Sequence, residues 1–113
     1  MSRRLAPQER LLRGVTEEHL REDIREAAQR LGWTFHFTYD SRRSPEGWPD
    51  CSLVKMQNDG TARALVLELK TEEGKVTPGQ AAMVALLGLV PGITARVVRP
   101  SDWDWVLEVM QRP

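Results

Sequence analysis

The tripeptide Asn58-Asp59-Gly60, set between two runs of strand-forming residues, constrains this chain more than any other feature. Asn, Asp and Gly supply the backbone conformations of a tight hairpin. Residues 50–57 and 62–70 are therefore read as antiparallel neighbours, strands two and three. Within strand three, Leu65, Leu67 and Leu69 alternate onto one face, while Ala64, Val66, Glu68 and Lys70 take the other. On strand two, Asp50, Ser52 and Val54 share a face. The hairpin thus brings Asp50 towards the end of strand three that carries Glu68 and Lys70, and the acids and lysine are expected on an exposed face, away from the leucines.

The rest of the chain reads as helices and strands around that hairpin. Thr16 is the expected N-cap of a first helix, with Glu17 and Glu18 in its first turn and Gly32 as its stop. Leu20, Ile24, Ala27, Ala28 and Leu31 recur at helical spacing. At 100° per residue Glu17 falls within this apolar stripe, whereas Glu18 and Glu22 point away. Residues 33–39 read as strand one and residues 40–48 as a loop. Thr77, followed by Pro78, caps a helix through Leu89; Pro91-Gly92 ends it, residues 93–99 form strand four, and Ser101 caps a last helix through Met110. The order α-β-β-β-α-β-α predicts an α/β domain, a mixed central sheet flanked by helices. Residues 1–15 are a polar, Arg-rich lead-in to a domain spanning 16–113.

Composition narrows the class. With 41% apolar and 28% charged residues over 113 positions, the chain fits one soluble globular domain. One cysteine, Cys51, excludes an internal disulfide, and with only two histidines a structural zinc site is not expected. No apolar stretch approaches a membrane span and no signal sequence opens the chain, so a cytoplasmic location without membrane contact is expected. Sixteen basic residues balance sixteen acidic ones, giving no long-range pull on nucleic acid. The basic residues are unevenly spread, with Arg3, Arg4, Arg10 and Arg13 in the lead-in and Arg42-Arg43 upstream of Asp50.

Asp50, Glu68 and Lys70 form the residue set that metal-dependent phosphodiester cleavage uses. Two carboxylates can hold Mg²⁺ through hard oxygen ligands while leaving positions for water and phosphate. A neighbouring lysine can steady the attacking water or the charge developing on phosphate. Each residue alone also fits a structural role at a strand end. Gln80 fits the third helical position of a capping box with Thr77, and Glu17 fits a rim carboxylate. Arg42 and Arg43 can grip a phosphate bidentately or simply populate a polar loop. His36 alternates with Phe35 and Phe37 and is read as structural, and Cys51 as a small core residue. Trp103, Val106, Leu107 and Met110 form a core stripe, with Trp105 off it as a candidate interface residue.

In order along the chain, Thr16-Glu17, Gly32-Trp33, residues 40–44 (Asp-Ser-Arg-Arg-Ser), Gly47-Trp48-Pro49-Asp50, Glu68-Leu69-Lys70-Thr71, Gly74-Lys75-Val76-Thr77, Gln80 and Arg99-Pro100-Ser101-Asp102 resemble a VRR-NUC domain. This is the virus-type replication-repair nuclease branch of the PD-(D/E)XK superfamily, and the likeness covers residues 16–106. It implies a restriction-endonuclease-like core and Mg²⁺- or Mn²⁺-dependent DNA cleavage, in phage or bacterial proteins some of which resemble homodimeric Holliday junction resolvases. Asp50 and Glu68 match the family's metal ligands, Lys70 its catalytic lysine, Glu17 the acid of its first helix and Gln80 its site glutamine. Trp48 and Cys51 depart from the family's usual apolar residues at positions read as remote from the chemistry.

The resulting expectation is a structure-selective endonuclease. Asp50 and Glu68, with help from Glu17, hold the metal; Lys70 orients the attacking water; Arg42, Arg43 and Lys75 contact DNA. A homodimer is expected, because a neutral domain of this size offers a small footprint for branched DNA, with the Arg-rich segment and Trp105 as candidate contacts. Two alternatives stand beside it: a catalytically silent nuclease-fold module that binds DNA or a partner, and, with little room for a recognition element, a sequence-specific restriction-type enzyme.

Overall fold

A computed structural model describes residues 11–39 and 44–113. After a helical turn at residues 11–13, the chain forms α1 (Glu17–Leu31), β1 (Thr34–Phe37), β2 (Cys51–Met56), β3 (Ala62–Leu69), α2 (Pro78–Leu87), β4 (Ile93–Val98), a 3₁₀ turn (Pro100–Asp102) and α3 (Trp103–Gln111). The four strands make one mixed sheet in sequence order. β1–β2 and β2–β3 are antiparallel, and β3–β4 are parallel, joined by α2 as the crossover that a parallel pair requires. The expected compact α/β arrangement is present. No helix of the described residues is long and apolar enough to cross a membrane.

Local sequence accounts for most element boundaries. The Thr16 hydroxyl accepts the His19 N–H at the start of α1, and Gly32, at φ 81°, ends it in the left-handed conformation that disfavours other residues. In the β2–β3 hairpin, Gly60 has φ 86° and the Asp59 carboxylate accepts both the N–H and the hydroxyl of Thr61. Thr77 and Gln80 form a reciprocal capping box at the start of α2, with Pro78 at the first helical position.

Several boundaries differ from expectation, most by a single residue, as at both ends of β2 and the ends of β3 and β4. β1 stops at Phe37, although Thr38 N–H still donates to the Asp50 carbonyl and extends the ladder by one step. α2 ends at Leu87, with Gly88 as C-cap, two residues before Leu89. Ser101 does not cap the last helix. Asp102 spends its carboxylate on Arg99 N–H and the Arg96 guanidinium, which holds residues 100–102 in a 3₁₀ turn before α3.

The core lies on one side of the sheet. Leu20, Ile24, Ala27 and Ala28 of α1 and Val106, Val109 and Met110 of α3 join Cys51, Leu53, Leu65, Leu67, Leu69 and Val98 in one buried cluster. Trp33 closes it, its indole N–H donating to the Met110 carbonyl at 3.0 Å. Cys51 is buried there as a free thiol, and burial pushes its pKa up, so it is inert packing rather than a reactive group. Trp105 is not an open interface residue: it is partly buried against the core, with the Arg96 guanidinium 4.3 Å from its ring centroid. His36 is exposed on the opposite face of β1 from the half-buried Phe35 and Phe37. α2 packs on the other face of the sheet, over β3 and β4.

A candidate carboxylate–lysine site

Where β2 begins and β3 ends, the sheet brings Asp50, Glu68 and Lys70 together. Asp50, one residue ahead of β2, is held from two sides. Its carbonyl accepts the Thr38 N–H at 3.0 Å, and its carboxylate accepts the Leu69 N–H at 3.2 Å, standing in for a ladder carbonyl. Glu68 projects from the penultimate position of β3, and the Lys70 ammonium lies 4.0 Å from one of its oxygens.

The position of Glu68 corrects the sequence reading. Alternation put it on an exposed face, yet only 2% of it is accessible. The reason is α2, which covers that face. The Gln80 amide N–H donates to Glu68 Oε1 at 2.9 Å while its carbonyl accepts the Thr77 N–H at 3.0 Å. Gln80 is therefore both the capping-box glutamine and a contact of the site. The other Glu68 oxygen, Oε2, is buried without a hydrogen-bond partner.

The electrostatics follow from that burial. Desolvation, reinforced by the neighbouring Asp50 charge and opposed by Lys70, pushes the Glu68 pKa up to about 7. Asp50 is raised as well, again mainly by burial, with the Leu69 N–H, Glu68 and Lys70 acting against it. Two facing carboxylates with one ammonium leave uncompensated negative charge. An orphaned, buried carboxylate oxygen beside a second carboxylate is the donor chemistry that suits a hard divalent cation, and Mg²⁺ needs only one or two carboxylates beside water and phosphate.

A cleft of about 540 Å³ opens onto these carboxylates, its wall formed by Thr38, Ser44–Trp48, Thr77 and Gln80. Trp48, read from sequence as remote from the chemistry, lies on this wall and is 40% exposed. An apolar residue two places before a candidate ligand carried no signal of that role.

Gly47 sets the wall in place. Its φ is 80°, and a Cβ there would lie 2.4 Å from the Gly79 carbonyl oxygen. Only glycine lets the 44–49 turn lie against the first turn of α2. We expect Gly47→Ala to cost about 2 kcal/mol or more in a denaturant melt, because the added Cβ would force the 44–49 turn away from the first turn of α2. An unchanged melt would refute the close approach.

Arg99 supports the far side. Its Nη1 donates to the carbonyls of Thr71, Glu72 and Gly74, and Glu72 accepts the Ser101 N–H. The Arg99-Pro100-Ser101-Asp102 segment thus fixes the loop between Lys70 and Thr77.

Other expected site residues are not gathered here. Glu17 is exposed: the buried part of α1 begins at Leu20, a turn further in, so the apolar stripe extends past what the sheet covers. Among the described residues no group of three or more His, Cys, Asp or Glu side chains is placed to hold a metal ion. Lys75 is exposed in the loop before α2. Arg42 and Arg43, like Arg3, Arg4 and Arg10, lie outside the described residues, and Arg13 pairs with Glu73. In comparisons with known proteins, the chain matches no family model, no curated protein and no solved structure.

Proposed function

We propose that this chain is a divalent-metal-dependent DNA endonuclease of the VRR-NUC type, with a restriction-endonuclease-like core, that acts as a pair of copies on branched DNA in a bacterial or phage cytoplasm. The observation that carries the reading is Glu68: a buried carboxylate with an orphaned oxygen, beside Asp50 and Lys70, at the floor of a cleft. A structural Glu/Lys pair at a strand end would be solvated and satisfied.

Asp50 and Glu68 would hold Mg²⁺ or Mn²⁺. The bound ion would supply Lewis acidity for phosphate and water. The protein's part is positioning and charge. Leu69 N–H fixes the Asp50 carboxylate, and Gln80 fixes one oxygen of Glu68, leaving the other, without a hydrogen-bond partner, to a ligand that would bind there. Lys70 orients the attacking water and stabilises the negative charge that grows on phosphate as the new P–O bond forms and the opposite one breaks. Arg42, Arg43 and Lys75 are the proposed phosphate contacts.

Structure selectivity is supported by Trp48. An indole 40% exposed on the cleft wall offers a stacking surface, and only an unpaired base can use it. We expect four-way junction, flap and single-stranded substrates to be cut faster than intact duplex. Trp48→Ala should weaken binding of those substrates by on the order of 10-fold or more, as the loss of one stacked base implies, with Trp48→Phe largely restoring it. Equal rates on all four substrates would overturn the selectivity. Tight metal-independent binding without cleavage would favour the silent module instead.

A further inference from the structure

The residues between Lys70 and Thr77 have neither helix nor strand to hold them. Gly74 N–H donates to the Thr71 carbonyl at 3.2 Å and closes a single turn. The carbonyls of this loop converge instead on one side chain. Arg99, the first residue after β4, sets Nη1 2.8 Å from the Thr71 carbonyl, 3.2 Å from that of Glu72 and 2.8 Å from that of Gly74. A nitrogen with two hydrogens meets three acceptors there, so at least one hydrogen is shared. Arg96, three residues earlier, spends its guanidinium on the Asp102 carboxylate. Arg99 spends its charge on backbone, and hydrogen bonds from a charged donor are stronger than neutral ones.

The clamped loop stands beside Lys70. A Cβ at Gly74 would lie 3.5 Å from Lys70 Cδ and 3.0 Å from the Thr71 hydroxyl, so the Gly74 backbone is about one methyl group away from the lysine stem. The Lys70 backbone is fixed separately, its N–H donating to the Val98 carbonyl at 3.0 Å. The side chain has no such anchor: a flexible four-carbon stem spreads over many rotamers in water. Here it is only 14% exposed, with its ammonium 4.0 Å from Glu68. The far end of the loop needs no help from Arg99, because Thr77 and Gln80 cap α2 reciprocally.

We infer that Arg99 is a positioning residue for Lys70, acting through the backbone of residues 71–74. By gathering three carbonyls it holds Gly74 beside the lysine stem, and that wall keeps the ammonium at Glu68. The effect on cleavage rate rests on the nuclease reading proposed above; the effect on the lysine does not. Arg99 is not on the cleft wall. Its loss should therefore reproduce a weakened form of the Lys70 defect. Turnover falls, while the two carboxylates, held by Leu69 N–H and Gln80, keep their metal affinity. Misplacing a reacting group by about 1 Å costs on the order of 100-fold in rate. An arginine that served the fold alone would lower the melting temperature and leave the folded fraction cutting at full speed.

The chain has three lysines, Lys55, Lys70 and Lys75, so each can be followed by mass spectrometry after trace acetylation with acetic anhydride, in chelator and without DNA. In Arg99→Gln, Lys70 should label on the order of 10-fold faster or more, the scale set by one lost hydrogen bond from a charged group. Lys55, whose ammonium donates to the Leu31 carbonyl at the end of α1, is the reference and should label as in wild type. Arg99→Lys returns three N–H donors on a shorter stem and should fall between the two. In the cleavage arm, Arg99→Gln should lower kcat on the order of 100-fold with the Mg²⁺ requirement unchanged. Arg25→Gln, which breaks an exposed pairing with Glu22, should leave both readouts as they are. Lys70 labelling at the wild-type rate in Arg99→Gln, or in Arg99→Lys should the first variant not fold, would overturn the inference. So would a rise at all three lysines together, or a rate loss matched by an equal loss of Mg²⁺ affinity. A wild type that cuts nothing would count against the nuclease reading and leave the labelling result to decide the role of Arg99.

Discussion

Glu68→Gln is expected to lower DNA cleavage by about 1,000-fold or more while raising the melting temperature of the metal-free protein. Under the proposed mechanism, losing Glu68 as a metal ligand removes several kcal/mol of charge stabilisation from the reaction, and about 1.4 kcal/mol corresponds to each factor of ten. The fold responds in the opposite sense. Glutamine copies the shape of the protonated glutamate, keeps an acceptor for the Gln80 amide, and offers its own N–H₂ to the Asp50 carboxylate in place of an unpartnered oxygen. A gain on the order of 5 °C at neutral pH is the expected scale for relieving one to two kcal/mol of buried charge in a domain of this size. Asp50→Ala should abolish cleavage with a loss of metal affinity, and Lys70→Ala should abolish it with metal affinity retained. Glu68→Gln melting below wild type would mean that its carboxylate is compensated in the fold rather than held for a ligand.

The second large effect is on stability against pH. The folded-state pKa of Glu68 is raised from 4.5 to about 7, and Asp50 moves in the same direction. Between these values the unfolded chain has released a proton that the native state still holds. Stability is therefore greatest below the unfolded pKa, falls as pH rises from 4.5 to about 7, and levels off above. The fall should be on the order of 3 kcal/mol, shared by the carboxylate pair rather than owned by one residue. Thermal melts in chelator across this window measure it, and Glu68→Gln should flatten the curve. Mg²⁺ should restore the lost stability only where both carboxylates ionise, so its effect on the melting temperature grows as pH rises through 7. Stability that climbs across the same window would contradict the burial argument.

Much of the fold was legible because its signals are local. Thr16, Gly32, Asn58-Asp59-Gly60 and the Thr77–Gln80 box each set a boundary through their own backbone chemistry, and leucine alternation in β3 identified the core face. The candidate site was legible as a juxtaposition, since hairpin register alone brings Asp50 to the Glu68 end. Its environment was not. Alternation distinguishes the two faces of a strand but is blind to what lies over each, so the burial of Glu68 under α2 had no counterpart in the sequence. Trp48 and Gly47 acquire their roles from α2 as well, through a contact between positions more than thirty residues apart. Glu17 shows the converse failure. Helical phase gives a direction, and whether anything waits in that direction depends on where the neighbouring element ends.

The central claim is that Asp50, Glu68 and Lys70 form a metal-dependent phosphodiester-cleaving centre, and cleavage of an end-labelled four-way junction titrated with Mg²⁺ tests it most directly. Wild type should cut in proportion to metal occupancy and stop in chelator, while Glu68→Gln, folded and at least as stable, should leave the junction intact at every concentration. Cleavage that persists in Glu68→Gln, or a wild type that never cuts with Mg²⁺ or Mn²⁺, would contradict it.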